Sequence, residues 1–115
     1  MDGKHSKAIW TIKGATLSDK NARKEFGISQ EEIIEGIKAG KLQYRVNYIH
    51  GNPYYKLIKE EVESYITEKY GQNFLEKTKI EFRLKQITTE LRKLKRQMNA
   101  LQKEKNQLQE QIDKM

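Results

Sequence analysis

The sequence predicts a mainly α protein in which a small α+β head is followed by a long coiled-coil helix. Three observations predict it. In the last third of the chain, apolar residues recur in alternating steps of four and three. Ahead of them, two stretches each open on a serine that can cap a helix and close on a glycine. Between these stretches and the tail lies a run of polar/apolar alternation that ends in His50-Gly51-Asn52-Pro53. The first pattern is a heptad repeat, the second a pair of capped helices, the third a strand and turn.

Composition agrees with this division. Of 115 residues, 34% are charged and 36% hydrophobic, and the mean hydropathy of -0.94 is too low for a chain folded wholly around one core. Part of it is therefore expected to be an elongated helix. The chain has no cysteine, which excludes disulfides and thiolate metal sites. Residues 1–16 hold no apolar run that could serve as a signal-peptide core, and no window reaches the length of a membrane span. The cytoplasm is the expected location. The net charge of +7 points to an anionic partner, but the excess is uneven: residues 1–72 carry 12 basic and 10 acidic groups, residues 73–115 carry 11 and 6. Most of the positive charge lies in the tail.

Residues 1–16 are expected to be an N-terminal arm, frayed up to Lys7. Within it, Ile9-Trp10-Thr11-Ile12 is a β-prone run that can pair with a strand or pack its indole on the head. Ser18 is an N-cap, with Asp19 in the first turn where the helix dipole favours negative charge. That helix runs through Ala22, Lys24 and Phe26 to Gly27, a C-cap residue. Ser29 and Glu32 form a capping box for the next helix, whose apolar stripe is Ile33, Ile34 and Ile37 and whose end is Gly40. Tyr44, Val46 and Tyr48 then share one strand face, and Gln43, Arg45 and Asn47 the other. After the His50–Pro53 turn, Tyr54 to Leu57 return as the second strand of a hairpin. A third helix covers residues 59–70, with Val62, Tyr65, Ile66 and Tyr70 on one side, and Gly71 closes it. Helix, turn, helix, hairpin, helix is the layout of a winged helix-turn-helix head, placed at residues 17–71 and close to the smallest size that folds alone.

Residues 72–115 form the coiled-coil oligomerisation helix. Its seam is Ile80, Leu84, Ile87, Leu91, Leu94, Met98, Leu101, Leu108, Ile112 and Met115, with d at Ile80, a at Leu84 and Lys105 in the a slot between Leu101 and Leu108. A helix over residues 80–115 would span about 54 Å and cannot bury this seam by itself. A second copy is the simplest partner. Leu84 at a with Ile87 at d leans away from a parallel dimer, whereas Lys105 can snorkel out of a dimer but not out of a crowded tetramer. A homodimer is favoured. Glu90 at g facing Lys95 at e in a parallel pair is too weak to set direction, which stays open.

The head resembles the excisionase/MerR-type winged-helix DNA-binding family. The matching residues are Leu17-Ser18, Ala22-Arg23, Phe26-Gly27-Ile28-Ser29, Ile33-Ile34, Ile37, Gly40-Lys41-Leu42 and the stretch from Lys59 to Ile66, under half of the chain. Regulators of this type also follow the head with a dimerising helix. The resemblance implies double-stranded DNA as partner and a transcriptional or DNA-architectural role. Ser29, Gln30, Glu31 and Lys38 of the second helix would approach the major groove. Arg45, Asn47, His50, Asn52 and Lys56 would belong to the wing, and Lys20, Arg23 and Lys24 of the first helix would hold the backbone. The family commonly has small polar or basic residues after the capping serine. Here stand Gln30-Glu31-Glu32, with Glu35 one turn on. These carboxylates face a polyanion with negative charge, although a Glu can accept from cytosine N4. They open the alternative of a protein-interaction adaptor that uses the same head and coiled coil without DNA.

Other chemistries find little support. His5 and His50 stand apart with no metal-ligand motif, and a solvent or turn role is the simpler reading. Asp19, Glu25, Glu31 and Glu32 are ordinary first-turn and surface carboxylates rather than a catalytic set, so no enzyme, cofactor or metal is expected. Tyr44, Tyr48, Tyr54 and Tyr55 suit cross-strand packing better than base stacking. The basic run Arg83, Lys85, Arg92, Lys93, Lys95, Arg96 reads as the solvated face of the coiled coil, with a non-specific nucleic-acid clamp as the functional alternative.

Overall fold

The computed structural model describes residues 7–115, so His5 and the start of the arm, where fraying is expected from the sequence, lie outside the described residues. A 3-10 helix at Lys7–Thr11 leads to β1 (Thr16–Ser18), α1 (Asp19–Phe26), α2 (Gln30–Lys38), β2 (Tyr44–Ile49), β3 (Asn52–Ile58), α3 (Lys59–Tyr70) and α4 (Gln72–Asp113). The protein is mainly helical, with one small antiparallel sheet in the order β1-β3-β2 and a long C-terminal helix. It divides into a unit through Phe82 and a second unit, Arg83–Met115.

The local signals for α1 and α2 act as their chemistry requires. Ser18 Oγ accepts the Asn21 amide at 3.0 Å, and Gly27, at φ 70°, closes α1 by donating to the Arg23 carbonyl. Ser29 and Glu32 complete the capping box: Ser29 Oγ accepts from the Glu32 amide at 3.1 Å, and the Ser29 amide donates to Glu32 Oε1 at 2.9 Å. At the far end of α2, Gly40 has φ 76°. Its N–H donates to the Ile37 carbonyl while the Lys41 N–H donates to Gly36, which is a Schellman closure.

One pair of alternatives is decided and one expectation is corrected. The run Ile9-Trp10-Thr11-Ile12 is not a strand: it lies in and just after the 3-10 helix. Burial of the indole wins over β-propensity, since Trp10 is buried with the Arg45 guanidinium 4.6 Å from its ring centre. Its carbonyl accepts from Lys56 Nζ at 3.0 Å. The hairpin turn is also shorter than four residues. His50 (φ 52°) and Gly51 (φ 82°) make the whole connection, because a two-residue hairpin turn of the favoured hand needs positive φ at both positions. Asn52 and Pro53 already pair with Ile49 and Tyr48. Pro53 is tolerated because β1 reaches only Lys56 to Ile58 on the other side of β3, so no ladder bond needs its missing N–H.

The strand β1 is an addition to the hairpin: Leu17 pairs with Leu57 and Thr16 with Ile58. The core joins Leu17, Ala22, Phe26, Ile28, Ile33, Leu42, Leu57, Val62, Ile66 and Leu75, with Ile37, Tyr55, Tyr65 and Phe74 packed against it. Every element from β1 to the start of α4 thus contributes, apart from β2, whose Tyr44, Val46, Tyr48 and Ile49 are exposed.

Candidate functional site

The first helix and the start of the second are joined by a polar cluster. Asp19 is buried, and its carboxylate accepts from Gln30 Nε2 at 3.0 Å and from the Lys20 amide at 3.0 Å. Arg23 donates to Gln30 Oε1 and lies 3.9 Å from Asp19. Arg23, Gln30 and Ser29 are therefore committed to intramolecular bonds, Ser29 through its capping box. Lys20, Lys24 and Lys38 are exposed and make no ion pair among the described residues.

The acidic side of α2 is also occupied. Lys69 of α3 lies 2.9 Å from Glu32 and 3.5 Å from Glu35. The Tyr70 hydroxyl donates to Glu32, and the Tyr65 hydroxyl donates to its main-chain carbonyl at 3.0 Å. Burial pushes the Glu32 carboxyl up, but hydrogen bonds from Tyr70, the Ser29 amide and Lys69 outweigh it and hold the group down at about 2. The hydrogen bond to Glu32 raises Lys69 in turn, and likewise the Tyr70 phenol. Glu31 remains exposed without an ion pair among the described residues.

On the hairpin, Arg45, Asn47, Asn52 and Lys56 share one sheet face with Tyr54, and His50 sits in the turn. Arg45 and Lys56 are held over Trp10, Arg45 by its ring and Lys56 by its carbonyl. Both keep their charge at the surface, Lys56 half-buried. On the opposite face Tyr44 meets Tyr55 edge-on at 5.3 Å, while Tyr48 projects into solvent at 68% exposure. Between hairpin and helices lies a groove of about 360 Å³ lined by Asp19, Gln30, Val46, Pro53, Tyr54 and Tyr55. It brings together the N-terminal ends of α1 and α2 and the middle of the hairpin.

Charge is divided between the elements. Helix α1 and residues 41–58 carry six basic and two acidic groups, whereas α2 and α3 carry three and seven. Of the basic set, Lys20, Lys24 and Arg45 are exposed. Sequence reasoning found most of these residues by type but missed their partners. Asp19 was legible only as a first-turn acid. Nothing in the local sequence marks Lys69 and Tyr70, or the bonds that Glu61 accepts from the Gln43 amide at 2.8 Å and side chain at 2.6 Å.

The second unit presents a different surface. Ile80, Leu84, Ile87, Leu91, Leu94, Met98, Leu101, Leu108, Ile112 and Met115 are all exposed, Leu101 at 65%, and they fall on one stripe of a helix unbroken to Asp113. Among the described residues, no helix is long and apolar enough to cross a membrane, and no group of three or more His, Asp or Glu could hold a metal ion. Compared with protein-family models, curated proteins and solved structures, the chain matches none.

Proposed function

We propose that the chain is a DNA-binding protein, a small transcriptional or architectural regulator with a winged helix-turn-helix head, that works as a coiled-coil homo-oligomer. The observation that carries this reading is the division of charge within the head. The basic groups of α1 and the hairpin can meet phosphate, and the two most damaging carboxylates of α2 are answered by Lys69. Lys20, Lys24 and Arg45 contact the DNA backbone. In this reading His50 and Asn52 at the hairpin tip enter the adjacent groove, and the exposed Glu31 accepts from a cytosine amino group. Arg23, Gln30 and Lys56 keep the scaffold in place. Two heads on one coiled coil engage two half-sites, so avidity adds to weak single-head contacts.

The test is fluorescence anisotropy of the full chain with random-sequence duplex DNA, titrated from low to physiological salt. The reading expects a linear fall of log affinity with log salt. Lys20→Gln and Lys24→Gln should each lower the slope by about 1. Both side chains are exposed, so the fold is spared. Absence of binding at low salt would sink the proposal. The adaptor reading rests on exposed Glu31 and Glu35 beside exposed Tyr44, Val46 and Tyr48. A partner bound there would be insensitive to the two lysine changes.

A further inference from the structure

We infer that the occupant of the exposed seam on α4 is a second copy of this chain, parallel and in register, and that Lys105 sets this arrangement. The inference rests on the coiled-coil reading above and adds direction and register to it. Lys105 is exposed at an a position in an otherwise apolar stripe. A parallel in-register pair stacks Lys105 on its own counterpart, so both ammonium groups disturb one layer. Shifting a parallel pair by one heptad places Lys105 against Met98 and Ile112 in two separate layers. An antiparallel pair matches a with d, so each Lys105 again spoils a layer of its own. In-register parallel pairing therefore costs one apolar layer where the alternatives cost two.

The flanking residues point the same way. Leu94, Leu101 and Leu108 occupy three successive d positions, with Ile112 at the following a, and Leu at d with a β-branched residue at a is the two-stranded parallel preference. In that pair the hole that receives Lys105 is formed by the partner's Leu101, Glu104, Lys105 and Leu108. The snorkelling ammonium thus finds a carboxylate at its rim. Glu90 at g faces the partner's Lys95 at e, twice by symmetry. In the antiparallel register of greatest overlap, Lys95 instead meets its own counterpart and Glu90 meets Glu104. Each such pair is a weak, solvent-screened contact, but all lie on the same side of the comparison as the Lys105 layer. Glu90, Lys95, Glu104 and Lys105 make no ion pair among the described residues, so none is already spent within the helix. Ile80 and Ile87 at d favour higher orders. A trimer or tetramer, however, would gather three or four Lys105 groups around one axis, which a dimer avoids.

Because the chain has no cysteine, single introduced thiols report the geometry directly. The full-length protein is first sized by light scattering. A monomer overturns the coiled-coil reading itself, and a trimer or tetramer overturns the dimer. For a dimer, Met115→Cys in a glutathione redox buffer is expected to give quantitative disulfide-linked dimer. A mixture of Leu84→Cys and Leu108→Cys chains is expected to give no mixed disulfide, since these positions are about 36 Å apart along parallel helices. A mixed product, or no Met115→Cys product from a dimer, overturns the inference. Lys105→Ile should raise the thermal midpoint of the tail and allow the mixed product to appear. An unchanged product distribution would remove Lys105 from its role.

Discussion

The two units solve the same problem in opposite ways. In the unit through Phe82, apolar residues from β1, α1, α2, β3, α3 and the start of α4 bury one another within a single chain. In residues 83–115 no side chain is buried, although the apolar stripe is just as regular. Amphipathic periodicity alone therefore does not tell whether a helix will find its partner inside the chain or outside it. The distinction lies in the turns. Gly27, Gly40 and Gly71 let short helices fold back on their neighbours, while the 42-residue α4 has no glycine or proline at which to reverse. The head's stability is thus intrinsic, whereas the proposed pairing of tails would make the tail's depend on concentration by mass action.

The comparison is broken most severely from the head side. Phe26 is fully buried at the end of α1, and Phe26→Ala should cost about 3–5 kcal/mol. That is comparable to the whole stability of a domain this small. The loss, read by urea denaturation, should not change with protein concentration. Leu94→Ala removes a seam residue and should cost about 2–5 kcal/mol of association once copies pair. It should appear as a concentration-dependent shift in mass by sedimentation, with the head's own transition unmoved. If both variants respond identically to concentration, the two units are one cooperative body and the contrast fails.

Smaller changes sharpen it. Gly36 is a helix-interior glycine with ordinary φ, and its reason is space: an added Cβ would lie 2.7 Å from Leu42 Cδ1 and 3.2 Å from Tyr65 Cζ. Leu42 is buried in the core, so its side chain can yield only by disturbing its neighbours. Gly36→Ala is expected to introduce about 1–3 kcal/mol of overpacking, offset by roughly 1 kcal/mol of helix propensity. A stabilised variant would show that α2 and the segment after it can separate. Ser29→Ala removes the side-chain half of the capping box and should cost about 1 kcal/mol, readable as a lower urea midpoint with an unchanged slope.

These residues also mark how far the sequence could be read. Caps at Ser18, Gly27, Ser29 and Gly40 were legible because each acts within four or five residues of itself. The heptad was legible because ten apolar residues repeat one rule. Strand β1 was not, since three residues hold too little pattern and only pairing with Leu57 makes them a strand. Trp10 was readable as either strand or packed indole, and Arg45 and Lys56, far along the chain, decide the outcome. For the candidate site, the basic side chains were visible by type. Which of them are free and which are tied down depends on Asp19 meeting Gln30 and Glu32 meeting Lys69, contacts that no local pattern encodes.

The smallest expected effect concerns that last contact and has a defined pH signature. Glu32 is held at about 2 against its ordinary 4.5, so the folded state prefers the carboxylate. The stabilisation is complete above pH 4.5 and is lost as pH falls from there toward 2. Lys69 and Tyr70 are both raised, chiefly through Glu32. Their contribution is present below their ordinary values of 10.5 and 10.0 and is lost as pH rises beyond them. Between these limits the cluster contributes a constant and small amount, because its groups meet solvent. Glu32→Gln should therefore lower the head's urea midpoint slightly and equally across the neutral range. The gap from the parent protein should narrow as both are taken below pH 4.5, where the unfolded carboxyl takes up its proton, and should close only as the pH approaches 2. A gap that persists undiminished in acid would mean that Glu32 acts through its shape and cap rather than its charge. The tail, whose seam contains no carboxylate, provides the internal control, since this substitution should leave any concentration dependence of its association unaltered.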